Sequence, residues 1–172
     1  YQRSNKKEAL DMALLTLDQM RNGGIYDQLG YGFHRYSTDE HWHTPHFEKM
    51  LYDQAQLISA YSLAYQLTKL THYKETIQEI VTYLKTDLNG QHAAFFSAED
   101  ADSEGEEGTF YVWSSKELQS HLSSSDYNLI SKVYQCHEHG NFLDESTKQS
   151  TGKNIFHRVS DLNSILNDFG LS

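Results

Sequence analysis

Cysteine and proline are nearly absent from this 172-residue chain, each occurring once, as Cys136 and Pro45. A lone cysteine cannot form an internal disulfide, and no C-x-x-C or N-x-S/T pattern is present. A reducing compartment, the cytoplasm, is therefore expected, and a redox role for these residues is not. Basic residues are also scarce, 14 against 24 acidic, for a net charge of −10. That balance argues against nucleic acid or an anionic membrane as the main partner, since both recruit basic patches. No apolar run approaches the ~20 residues of a membrane span. The chain opens on Tyr1 rather than methionine, and further sequence is expected to precede it.

Aromatic residues, by contrast, are abundant, with 12 Tyr and 8 Phe. They concentrate in residues 23–56, which also hold Gly23, Gly24, Gly30, Gly32, the only proline, and His34, His41, His43 and His46. A solvated loop favours small polar residues, whereas Phe33, Tyr36, Trp42 and Phe47 have area to bury. Aromatic walls with a few polar groups are the usual makings of a concave ligand site.

Periodicity places helices on either side of this stretch. Leu10, Ala13, Leu14, Leu17 and Met20 predict an amphipathic helix over residues 4–22, capped by Ser4 or Asn5 and ended by Gly23 as a left-handed residue. Pro45 suits a helical first turn, so the next helix is expected over residues 46–69, with His46, Lys49 and Asp53 along one face. A third stripe, Tyr73, Ile77, Ile80 and Leu84, follows after a short link and predicts an antiparallel helical hairpin. Residues 93–99 and 109–114 look like two strands of a β-hairpin flanking the acidic loop DADSEGEEG. Ser114 with Glu117 is a capping-box pattern, Asp126 is expected to cap a further helix, and a last helix is expected over residues 160–169. The fold class expected is mainly α, built from antiparallel helical hairpins with a small β-hairpin insertion. Six helices with chemistry-rich loops on one side suggest part of a larger helical toroid.

The strings GGIYDQLGYGFHRYSTDEHWHTPHFEKMLYDQAQL and FFSAEDADSEGEEGTFYVW, with a weaker continuation in TGKNIFHRVSDL, resemble the YyaL-type family. That family includes the spermatogenesis-associated, thioredoxin-domain-containing proteins of animals. The resemblance implies an N-terminal thioredoxin-like domain followed by an (α/α)6 barrel similar to N-acylglucosamine 2-epimerases and six-hairpin glycosidases. Residues 1–172 would then be one domain, the early part of that barrel, with the thioredoxin-like domain as its neighbour in the full-length protein. The chain departs from the family pattern at Tyr31, where glycine is expected, and at His43-Thr44.

Sugar epimerisation needs a base near a carbonyl or hydroxyl carbon and charged groups to steady an enediolate. His34, His46 and Asp53 are candidate catalytic residues in that scheme. Arg35, Asp39, Glu48, Lys49 and Gln56 are candidate ligand contacts, with Tyr36, Trp42 and Tyr52 as sugar platforms. Glu99 and Asp100 are the carboxylate pair a glycosidase would use, with Asp102 as a further contact. The run from Asp100 to Gly105 imitates the opening of a calcium loop, but position twelve is Tyr111, which rules out an EF-hand. His41, His43 and His46 with Glu48 lack the H-E-x-x-H pattern or a cysteine partner, so no metal and no cofactor is assigned. Cys136 has no triad-like support as a nucleophile. Two functions remain open: a carbohydrate-active domain acting on a sugar or other small polar ligand, and a non-catalytic binding or scaffolding domain beside a thioredoxin-like module, linked to spermatogenesis.

Overall fold

The computed structural model describes residues 6–144, 149–158 and 161–171. Helix α1 spans Lys7–Asn22 and turns Leu14, Leu17 and Met20 onto the main core. Ser4 and Asn5, the expected caps, lie outside the described residues; the N-cap position is Lys6. Gly23 is not left-handed: its φ is −71° and its backbone is extended. The glycine pair answers a different need, the close approach of another strand of chain. A Cβ on Gly23 would sit 2.3 Å from the Trp42 carbonyl oxygen, and one on Gly24 would sit 2.1 Å from that of His43.

Helix α2 runs Leu51–Thr68, five residues shorter at its start than periodicity suggests. Residues 45–50 are extended instead. Strand β1 (Tyr36–Ser37) pairs antiparallel with β2 (Pro45–His46), and β3 (Lys49–Met50) pairs with β4 (Ala98–Glu99). The Arg35 N–H donates to the Glu48 carbonyl at 2.7 Å and the Leu51 N–H to that of Ser97 at 2.9 Å. Partners distant in sequence thus take the backbone groups that a helix would have paired internally. Side chains alternate accordingly, with Phe47 and Lys49 buried and His46 and Glu48 on the opposite, half-exposed side. His46, Lys49 and Asp53 therefore do not share a helix face.

Helix α3 (Thr71–Thr86) returns along α2 after a two-residue link in which Lys69 takes a left-handed φ of 62°, giving the expected helical hairpin. The main core forms where α1, α2 and α3 meet residues 25–33, around Ile25, Tyr26, Phe33, Tyr61, Tyr73 and Ile80. Gln54 is wholly buried there: its side-chain oxygen accepts from the Phe33 N–H at 2.9 Å and its amide donates to the Phe33 carbonyl at 2.7 Å.

The expected pairing of residues 93–99 with 109–114 does not occur. Phe95 bridges to Asn89, and Thr109–Tyr111 forms one turn of 3-10 helix. The hairpin lies inside the acidic loop, where β5 (Asp102–Ser103) pairs with β6 (Glu106–Glu107). Its two turn residues, Glu104 and Gly105, both have positive φ, 56° and 86°, which suits a two-residue hairpin. Helix α4 (Ser115–His121) carries the full capping box from Ser114 and Glu117. Helix α5 (Ser124–Val133) is capped by Ser123, with Asp126 three residues in, and α6 (Leu162–Asp168) is capped by Asp161. A second small core of Phe47, Ala101 and Ile155 joins the hairpin to residues 153–157. Between α1 and α2 an apolar groove lined by Leu10, Leu14, Leu63 and Leu67 is open to solvent. Among the described residues no helix is long and apolar enough to cross a membrane.

Candidate functional site

The alternation along residues 46–49 divides the candidate residues between two compartments. On the inner side, the Lys49 ammonium is 2% exposed, 2.8 Å from Asp27 Oδ2 and 2.9 Å from the Tyr31 carbonyl. It lies over the rings of Tyr83 and Tyr111, 4.6 and 4.7 Å from their centroids. Tyr31 holds φ at 69°, in the left-handed region that glycine enters more freely than tyrosine. Asp27 Oδ1 accepts the N–H groups of Leu29 and Gly30, fixing the turn that presents its other oxygen to Lys49. Burial pushes the Asp27 carboxyl upward, but Lys49 and the donated hydrogen bonds outweigh it and hold the group below the usual carboxylate range. Glu99 on β4 accepts from the Tyr83 hydroxyl at 2.7 Å and the Tyr111 hydroxyl at 2.9 Å. Burial first, then Glu99, keeps both phenols protonated.

His34 packs edge-on against Phe47 and Tyr111. Its Nδ1 lies 2.9 Å from the Phe47 carbonyl, which can only accept, so the proton sits on Nδ1 and Nε2 is bare. Burial, with the Lys49 charge adding to it, pushes the imidazole down to about 3. A second pair, His43 and His157, has rings 4.2 Å apart. Burial and mutual repulsion take His43 down to about 4, and burial lowers His157 as well.

These three histidines stay neutral in the folded chain while their unfolded counterparts charge near pH 6.5. The His34 and His43 contributions are complete above pH 6.5 and are lost as pH falls toward 4, at roughly 1.4 kcal/mol per pH unit for each, and His157 acts in the same direction. The Asp27 contribution, from a lowered carboxyl, survives this window and is lost only at lower pH. The thermal midpoint is expected to fall steadily from pH 7 to pH 5. Calorimetry at pH 5 should register uptake of about two protons on unfolding from His34 and His43, reduced by about one in His34→Gln. A midpoint flat across that range would contradict the assignment.

On the outer side, Arg35 donates to Glu48 Oε2 at 2.8 Å, and His46 Nε2 lies 3.7 Å from the same oxygen. His46 Nδ1 donates to Glu107 Oε1 at 2.6 Å, and that carboxylate also accepts the Phe47 N–H. Tyr36 stacks on His46 with centroids 5.0 Å apart. Tyr36 and Tyr52 are 50% and 46% exposed. Asp53, in the first turn of α2, has its Oδ2 fully enclosed without a hydrogen-bond partner. Burial raises its carboxyl, Arg35 opposes the rise and Glu48 adds to it. The rim thus assembles Arg35, Tyr36, His46, Glu48, Tyr52 and Asp53 around one guanidinium, with an acid whose charge is only partly compensated.

Other candidates lie elsewhere. Asp39 spends both oxygens on the N–H groups of His41, His43 and Thr44, clamping its own loop. Trp42, at φ 61°, packs on the main core. Gln56 is exposed and bonds within α2, to the Tyr52 carbonyl. Asp100 is exposed and its side chain accepts the Asp102 N–H, while Asp102 sits opposite Glu107 in the hairpin. Asp27, Tyr83, Tyr111 and Glu107 were not singled out by sequence reasoning; only Asp27 left a local trace, an Asp three residues before a glycine.

No family model matches the chain. Spermatogenesis-associated protein 20 of Homo sapiens is 54% identical over 117 residues, 64% of this chain and 15% of that protein. The chain is a homologue of spermatogenesis-associated protein 20. The Mus musculus protein of that name is 51% identical over the same length, and an uncharacterized protein of Caenorhabditis elegans is 36% identical over 163 residues, 86% of this chain and 22% of that protein. The chain therefore matches 15% of the mammalian spermatogenesis-associated protein 20 and 22% of the nematode relative. Among solved structures, a D-mannose isomerase is similar with a TM-score of 0.46 and 20% identity, covering 81% of this chain and 40% of that one.

Proposed function

We propose that the chain is part of an (α/α)6-barrel domain of the epimerase, isomerase or glycosidase kind, and that its ligand-facing surface is the rim at the start of α2. The observation that carries this reading is Asp53, whose enclosed oxygen lacks a partner while the Arg35–Glu48 pair acts on its charge and His46 borders Glu48. A carboxyl raised by burial is suited to exchanging a proton with a sugar carbon or hydroxyl, and Arg35 to steadying the oxyanion that results. The exposed faces of Tyr36 and Tyr52 supply apolar platforms for a pyranose ring.

Because its folded-state carboxyl is raised, Asp53 opposes folding at neutral pH, so Asp53→Asn is expected to match or exceed the wild type in stability. The same change should abolish ligand response. A thermal-shift series on the full-length protein with millimolar D-mannose, D-glucose, N-acetylmannosamine and maltose tests this. At ten times Kd a ligand adds about 1.4 kcal/mol, a shift of several degrees. Silence toward every sugar, or an unchanged response in Asp53→Asn, would remove the proposal.

A second reading, a non-catalytic binding or scaffolding domain beside a thioredoxin-like module, draws support from the inner compartment, where Lys49 and Asp27 are spent on each other and Glu99 on the Tyr83 and Tyr111 hydroxyls. Under it, partner binding survives Asp53→Ala and His46→Ala and is lost on changes to the surrounding surface.

A further inference from the structure

Behind residues 46–49, away from the rim, a cavity of about 490 Å³ opens between the Asp27 turn and the aromatic residues of the second core. Its walls include Phe47, Tyr111, Trp113, Ile155 and Phe156. They are flat in two places: Phe47 and Tyr111 are within 10° of parallel, and Trp113 and Phe156 within 16°. The volume falls in the range of small-molecule sites.

The polar groups at its border are nearly all occupied. Gln28 accepts from Arg21 and donates to the carbonyls of Arg21 and Gly23. Asp27 serves Lys49 and two backbone N–H groups. The Tyr26 hydroxyl donates to Glu79. His34 differs. Its Nδ1 is used by the Phe47 carbonyl, and no described residue takes Nε2. Nor is Nε2 among the enclosed, partnerless atoms of the described residues, which are His43 Nε2, Asp53 Oδ2 and Ser131 Oγ. His34 lines the cavity, and its Nε2 is a side-chain acceptor left there without a partner.

A sugar would carry several hydroxyls into mostly aromatic walls with one free side-chain acceptor, and each unpaired hydroxyl costs desolvation. An anion finds no cationic side chain in the lining to neutralise it, and a cation finds no free carboxylate, since Asp27 is held by Lys49. We propose that this cavity binds an uncharged planar aromatic molecule with one O–H or N–H donor, of the phenol or indole class, stacked between the aromatic walls with its donor on His34 Nε2. This site is distinct from the sugar-facing rim and does not depend on it.

The test compares two probes on the full chain: p-cresol, which has the donor, and toluene, which has nearly the same shape without it. In NMR titrations p-cresol is expected to bind about three- to tenfold more tightly, the worth of one net hydrogen bond. It should also move the ¹⁵N signal of His34 Nε2, which toluene should leave nearly unshifted. Toluene binding as tightly as p-cresol, neither probe binding at millimolar concentration, or p-cresol perturbations away from His34 would each overturn the proposal.

Discussion

Lys49→Met is expected to lower the thermal midpoint by about 10 °C, read by circular dichroism or calorimetry. The reason is asymmetric desolvation. With Lys49 present, the Asp27 carboxylate, the Tyr31 carbonyl and two aromatic faces share one buried cation. Methionine fills most of the volume but leaves Asp27 charged in a site with no counter-ion, and breaking a buried pair from one side costs about 3–5 kcal/mol. For a chain of this length each kcal/mol moves the midpoint by about 2–4 °C. Adding Asp27→Asn to Lys49→Met should recover a large part of the loss. The asparagine oxygen can still accept from Leu29 and Gly30, while the orphaned charge disappears. A single mutant melting within about 2 °C of the wild type, or a double mutant no better than the single, would show that the pair is not the stabilising unit described here.

The second large effect belongs to Gln54→Leu. Leucine conserves volume, so packing is nearly unchanged and the hydrogen bonds are isolated. Gln54 acts as a surrogate strand, pairing both the N–H and the C=O of Phe33 inside the core. Removing it strands two buried backbone groups at about 1–3 kcal/mol each, for a total of about 2–6 kcal/mol. Gln54→Glu, which keeps an acceptor for the Phe33 N–H but no donor, should be no better than leucine because it also buries a charge. Chemical denaturation with an unchanged m-value is the appropriate measurement, and a loss below about 1 kcal/mol would contradict the assignment.

What could be read from the sequence divides along the same physical line. Helix α1, the α2–α3 hairpin and the Ser114 capping box rest on interactions within a few residues, and their periodicity and caps stand in the string itself. Residues 45–50 do not. Pro45 is compatible with a helix start, and the spacing of His46, Lys49 and Asp53 would align them if the helix began there. The outcome is decided by Arg35, Ser97 and Glu99, which are 13 to 50 residues away in sequence. The inner compartment was hidden for the same reason, since Lys49 reaches Asp27 across 22 positions. The residue types of the rim were legible, but their grouping around Arg35 depends on strand alternation rather than on a helix face. The acidic hairpin shows a similar displacement. Strand-like composition puts a hairpin on residues 93–99 and 109–114, which do not pair; the hairpin that forms lies inside the acidic loop, where Glu104 and Gly105 turn at positive φ.

The alternation of residues 46–49 also bears on how such a chain can diverge. Neighbouring residues here meet different physical demands. The odd positions, Phe47 and Lys49, are locked to partners whose replacement threatens the fold, while the even positions, His46 and Glu48, face outward and touch chiefly one another, Arg35 and Glu107. A lineage changing its ligand can redraw the even-numbered residues without disturbing the odd ones. Paralogues with a new specificity should therefore keep the phenylalanine and the lysine and vary the histidine and the glutamate.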